Sequence, residues 1–205
     1  MTVLDHERLT DFVMFHRLGL LAVERLVLKR ELTTRAMFLL QAMVARMNTS
    51  TGRVWSSASE LAAEHQAIPG CVCSSIQRLR RVGLVVRCTA PPLHELSAKE
   101  RASMPDPATR APHSARLYFL IHPGLASVGG KTRRGWVLDQ FQSAIGDRLT
   151  PFARELAGVE AEARAAAEEL ELAELVAAHD AQQAKLNRLE GLRQQLEQGN
   201  GHEAA

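Results

Sequence analysis

Apolar residues recur along this chain on two periods, and the changes between them mark the elements. From about Leu9 to Val27 they are nearly continuous, and Phe12, Phe15, Leu18 and Ala22 fall on one helical stripe. That run is too apolar for a lone surface helix, so part of it is expected as a strand or a subunit contact. Thr33 or Thr34 caps the next helix, RAMFLLQAMVARM, with Met37, Leu40, Val44 and Met47, together with Phe38 and Ala45, facing a core. Asn48 to Gly52 reads as a turn, and Arg53-Val54-Trp55 as a short strand. Ser57 and Glu60 form a capping box that starts a further helix with Leu61 and Ala62 turned inward. Ile68-Pro69-Gly70 breaks it. Val72, Ile76 and Leu79, spaced by four and three, then define one face of a second helix. Gly83 ends that helix, and Leu84-Val85-Val86 continues as a strand.

Helix, short strand, helix, turn, helix and strand is the order of a winged helix-turn-helix, which places its second helix in a DNA major groove. Residues 89–114 hold five prolines and read as a long mobile loop. Arg116-Leu117-Tyr118-Phe119-Leu120-Ile121 is an apolar strand, so the two strands and their loop make a large wing. Lys99, Arg101, Arg110 and Arg116 make that wing basic.

The pattern changes after Leu149. Leu149, Phe152, Leu156, Val159, Ala163, Ala166, Leu170 and Ala173 repeat at threes and fours, a heptad seam that predicts a coiled coil or helical hairpin. The register slips near Leu186, and Leu189, Leu192 and Leu196 start a new stripe. The fold class is therefore mainly α with a small β-wing: a winged helix-turn-helix domain over 1–130, a connector over 131–148, a long C-terminal helix over 149–198 and a disordered tail over 199–205. Leu156, Val159, Ala163 and Leu170 are the residues expected to pair two copies into a homodimer.

Charge sharpens the picture. The net +2 hides a division: residues 1–154 carry 21 Lys/Arg against 12 Asp/Glu, whereas residues 155–205 carry 4 against 11. A basic head with an acidic tail fits a polyanion-binding protein. The apolar stretch LGLLAVERLVL is interrupted by Glu24 and Arg25 and is too short to span a bilayer, so no membrane partner is expected. Three cysteines do not make a disulfide framework, which points to a reducing cytoplasm.

With Val72, Ile76 and Leu79 inward, the outer side of the arginine-rich helix carries Gly70, Cys71, Ser74, Gln77, Arg78 and Arg81. Small residues at its start allow close approach to base edges. Gln77 suits adenine and Arg78 guanine, each worth ~1–3 kcal/mol of discrimination. Arg80 and Arg81 suit phosphates. Arg53, Arg110, Arg116, Lys131, Arg133 and Arg134 complete the expected DNA set. A competing phosphate-loop reading of GLASVGGKT fails, because the required first glycine falls on Leu125. Cys71, Cys73 and Cys88 lack zinc-site spacing and read as small core fillers or as compact residues at the DNA surface. Neither cofactor nor metal is expected, and no serine or cysteine has a base beside it in sequence, so a non-enzymatic protein is expected.

The segments DFVMFHRLGLLAVERLVL, LTTRAMFLLQAMVARMN, ASELAAEH, SSIQRLRRVGLV and LYFLIHPGLASVGG resemble winged-helix plasmid replication proteins of the RepL type, over roughly residues 11–130. Part of the likeness is shared with MarR-like regulators. Ile121-His122-Pro123 and Gly130 stand where that group has an Asn-Pro-like turn and a later glycine, with His122 in place of the asparagine. The resemblance implies sequence-specific binding of double-stranded DNA at repeated or palindromic sites, in replication initiation or its control. Transcriptional repression, or a coiled-coil scaffold, are the alternatives. Replication or transcription machinery would be the further partner. A two-fold dimer would read half-sites about 34–36 Å apart.

Overall fold

The computed structural model describes residues 13–49, 51–90, 92–96, 98, 101, 104, 117–129, 131–146 and 148–200. Leu9, Phe12, Lys99, Arg110, Arg116, Gly130 and most of the 89–114 loop lie outside the described residues. By packing, the chain divides into two units, Met1–Val159 and Glu160–Ala205.

The first apolar run is part strand and part helix, as its continuous hydrophobicity suggested. Strand β1 (Val13–Phe15) precedes α1 (Arg17–Leu28), which buries Gly19, Ala22, Val23 and Leu26. Phe15 stands in the strand, 47% exposed, so it leaves the stripe expected of it. Helix α2 (Thr34–Ala45) starts where its cap predicts: Thr33 Oγ1 accepts the Ala36 N–H at 3.3 Å. Its buried face is Ala36, Leu39, Leu40, Met43 and Val44. Phe38 and Ala45, expected inside, are exposed: the core takes Leu39 beside Phe38, while Val44 is buried as expected.

Strand β2 (Arg53–Val54) leads into α3 (Ala58–Glu64), whose reciprocal capping box of Ser57 and Glu60 is formed. Pro69 opens α4 (Pro69–Val82) at a position where a missing N–H costs nothing. Gly83 closes it at φ 83°, and the Leu84 N–H returns to Leu79 O at 3.0 Å. Val72, Ser75, Ile76, Leu79 and Val82 are its buried stripe. Strand β3 (Val85–Thr89) then pairs antiparallel with β4 (Leu117–Ile121), and β2 lies on the other side of β4, giving the order β2-β4-β3. Strand β5 (Ala126–Val128) returns to pair with β1.

The three-stranded sheet has an apolar layer on each face, as strand alternation requires. Val85, Phe119 and Ile121 join the main core with α1 to α4. Val86, Tyr118 and Leu120 face a second core with Leu96, Val137 and Phe141. Val137 and Phe141 belong to α5 (Lys131–Ile145), so the stretch expected as a connector holds a 15-residue helix packed on the sheet.

The final helix, α6 (Pro151–Asn200), is 50 residues long. Buried Thr150 accepts the Ala153 N–H at 3.2 Å and so caps it. Its first turns belong to the main core: Phe152 and Val159 are buried there and Leu156 packs against it. This corrects the expected role of Leu156 and Val159 as pairing residues, because a side chain spent on its own core cannot also face a second copy. In the second unit every described residue from Glu160 to Gly191 is exposed, Ala163 and Leu170 included. Among the described residues no helix is long and apolar enough to cross a membrane.

Gly83 serves two demands at once. Its φ is one that side chains rarely adopt, and an added Cβ would lie 2.3 Å from Thr150 Oγ1. Gly83→Ala is expected to cost at least about 1–2 kcal/mol in a urea denaturation series. Gly70→Ala, where a Cβ meets nothing within 4 Å, should leave the midpoint level or slightly raised.

Candidate nucleic-acid interface

Helix α4 carries the candidate site, and its wheel sorts the residues. Gly70, Ser74, Gln77 and Arg81, all exposed, lie opposite the buried stripe of Val72, Ser75, Ile76 and Leu79. Arg78, half-buried, sits on the flank facing α2, and exposed Arg80 on the flank facing the sheet. No acidic side chain occurs anywhere in this helix. Every charged side chain on it is therefore attractive to an anion. The helix end presents Arg80 and Arg81 where basic groups also oppose the backbone carbonyl dipoles.

Local contacts tune what the crest presents. The Ser74 hydroxyl donates to Gly70 O at 2.9 Å, so its remaining lone pairs face outward as acceptors. Gly70 has open space above it, which lets a partner approach the backbone there. Cys71 is half-buried and lines, with Thr34, Arg35 and Arg78, a groove of about 740 Å³ between the start of α2 and α4. Exposed Cys73 stands on the opposite flank beside Ser57, Gln77 and Arg80. Burial pushes the Cys88 thiol above its ordinary range, which suits an inert filler beneath Tyr118. No group of three or more metal-ligating side chains comes together among the described residues.

Not every residue expected at the interface is on it. Arg53 is 2% exposed and enclosed by rings: its guanidinium carbon lies 4.7 Å from the centroid of Tyr118, 5.5 Å from Trp136 and 5.8 Å from Trp55. Cation–π attraction in a desolvated box accounts for the burial of a charge there. Arg53 is thereby removed from the set that can touch a phosphate. Lys131 and Arg133 stand in the first turn of α5. Exposed Arg134 lies in that turn too, near His16 and His122 rather than among the α4 crest residues.

Three arginines that sequence reasoning passed over adjoin the crest. Arg35 comes from the first turn of α2, Arg87 from β3, and Arg148 from the segment after α5. Arg87 had a visible signal, as the polar position in VVRCT; Arg148 had none, because only the fold of α5 brings it close.

The turn after β4 fixes how this surface is held. The His122 N–H donates to Leu84 O at 2.9 Å, tying the turn to the end of α4. Its ring lies edge-on to Phe141 and Phe152, with centroids 4.8 Å and 4.7 Å away. His122 Nδ1 accepts the Gly124 N–H at 3.0 Å, so the neutral ring carries its proton on Nε2. Burial first, and the nearby Arg134 charge second, push its pKa down to about 4. His16, hydrogen-bonded to Ser127 Oγ at 2.8 Å, is lowered for the same two reasons.

In comparisons with protein families, curated proteins and solved structures, nothing matches this chain.

The lowered His122 pKa makes stability depend on pH with a definite sign. The unfolded chain takes up the proton near pH 6.5 and the folded chain only near 4, so stability is full above 6.5 and falls as pH drops through that window. The loss should be about 2 kcal/mol between about pH 7 and 5, above most carboxylate titration. In His122→Asn the side-chain oxygen can still accept the Gly124 N–H, as in an Asx turn. Chemical denaturation across that range should show most of the slope gone in this variant, with the residue due to His16.

Proposed function

We propose that this chain is a non-enzymatic, sequence-specific double-stranded DNA-binding protein. Helix α2, strand β2, helices α3 and α4 and strands β3 and β4 form a winged helix-turn-helix, and α4 enters the major groove. The observation that carries the reading is the crest of Gly70, Ser74, Gln77 and Arg81 opposite the buried stripe of α4, with arginines on both flanks and no acid among them. The sheet order β2-β4-β3, directly after α4, supports it. Gln77 and Arg81 occupy the outermost line and read bases, while Arg78 and Arg80 reach the two backbones. This changes the sequence-based division, in which Gln77 and Arg78 read bases and Arg80 and Arg81 reached phosphates.

The resemblance of residues 11–130 to RepL-type proteins supports a role in replication initiation or control on a plasmid-type element. Footprinting on the DNA around its own gene tests this role: protection of direct repeats supports it, and protection of a promoter alone favours a MarR-like repressor.

Gln77→Ala should cost ~1–3 kcal/mol on the preferred site and relax base preference at one position. Fluorescence anisotropy with systematically varied duplexes reads both effects. If Gln77→Ala and Arg81→Ala bind every duplex as the wild type does, α4 is not the reading helix.

The protein acts as a homodimer in this reading. Because Leu156 and Val159 are taken by the core, pairing falls to the exposed side chains of α6 beyond them, Leu170, Leu175, Leu186 and Leu189 among them. Light scattering should give a dimer mass for the wild type and half that mass for Leu170→Asp/Leu189→Asp. An unchanged mass removes α6 from the assembly.

A further inference from the structure

We infer that Arg80, Arg87 and Arg148 form a phosphodiester clamp on the sheet-side flank of α4, adjoining the base-reading crest and holding one backbone strand beside it. The inference rests on the DNA-binding reading above, and it adds residues from two further elements, β3 and the segment after α5, to the contact with DNA.

Two clefts meet on this flank. One, of about 410 Å³, is bounded by Gln77, Arg80, Arg81, Arg87 and Arg148, with the end of α5 as its wall. The other, of about 260 Å³, lies between the start of α3, α4 and the sheet, and shares Gln77, Arg80 and Arg87 with the first. Arg80, Arg81, Arg87 and Arg148 are all exposed, so none is spent on the core. Among the described residues neither cleft is lined by a carboxylate. Four guanidiniums around one open concavity repel one another, and an anion relieves that repulsion.

The chemistry selects a phosphate on a strand. Guanidinium groups match phosphate oxygens in a planar, two-pronged geometry. The larger cleft has no aromatic ring among its described lining residues, and its polar lining is guanidinium and amide groups, a set that favours phosphate oxygens over a base. Gln77 belongs to both the crest and the clefts, so a backbone lodged here runs directly beside the bases that α4 would read. Contacts of this kind set register and salt-dependent affinity without choosing sequence.

The test uses the full chain, a duplex from its own upstream region, a scrambled duplex, and a series of salt concentrations. Arg87→Ala/Arg148→Ala should weaken binding to both duplexes by about tenfold or more and flatten the plot of log affinity against log salt by ~1–2. The ratio between the two duplexes should stay constant, and Arg87→Lys/Arg148→Lys should recover most of the slope. The clamp is overturned if affinity and slope are unchanged in the alanine variant while Gln77→Ala still impairs binding, an outcome that leaves the DNA reading standing. It is also overturned if the loss is confined to one sequence. Inorganic pyrophosphate should compete no better than its ionic strength explains; saturable binding abolished by Arg148→Ala would instead make this a small-anion site. Failure of the wild type to bind any duplex would remove the DNA reading, and the clamp with it.

Discussion

The turn His122–Leu125 is the constraint on which the arrangement of the first unit depends. Four elements close on it within contact distance. Gly19 of α1 approaches so near that a Cβ would lie 2.2 Å from Gly124 O, and a Cβ on Gly124 would lie 2.6 Å from a Leu156 methyl of α6. Phe141 of α5 and Phe152 of α6 hold the His122 ring between their edges. The backbone of the same residue reaches Leu84, at the point where α4 becomes β3. Small residues, aromatic edges and one neutral imidazole thus align the end of α4 with its sheet. Interiors packed this closely shift as units rather than deform smoothly.

Seen from that turn, the two apolar layers have different duties. The main core sets α4 against α2 and α3 and determines which of its faces is left to solvent. The second core, with Val137 and Phe141 against Val86 and Leu120, attaches α5 to the far side of the sheet. Packing of the second layer is what carries Arg148 to the flank of α4. A basic surface assembled from separate segments in this manner is sensitive to α5, although α5 itself contributes few charges to it.

Local signals were legible in the sequence, and those that depend on distant partners were not. The Thr33 cap, the Ser57–Glu60 box, the stripe of Val72, Ile76 and Leu79, and the strand through Tyr118 and Leu120 each rest on residues within a few positions of one another. The core face of α2 was misjudged at Phe38 because four large apolar residues, Met37 to Leu40, stand in a row there, and periodicity alone does not say which turn inward. Helix α5 was missed although Val137, Phe141 and Ile145 fall at helical spacing, because Trp136 and Leu138 blur that stripe and the strands it packs on lie earlier in the chain. The heptad of α6 was read correctly as helix, but its seam was assigned to a coiled coil or a helical hairpin rather than in part to the main core. A seam records that a face is buried and not by whom, and its first part is buried by α1 and the turn after β4. Of the candidate site, the helix and its outer residues were visible, whereas the enclosure of Arg53 required Trp55, Tyr118 and Trp136 to meet around it.

That enclosure bears on which changes the position tolerates over evolutionary time. A guanidinium keeps its proton under any physiological condition and lies flat against aromatic faces. An ammonium in the same box would be stripped of most of its hydration and could escape the penalty by becoming neutral. The usual exchange between the two long basic side chains is therefore not a mild one here. Position 53 asks for a permanent planar cation, so a drift to lysine would unsettle three aromatic neighbours together.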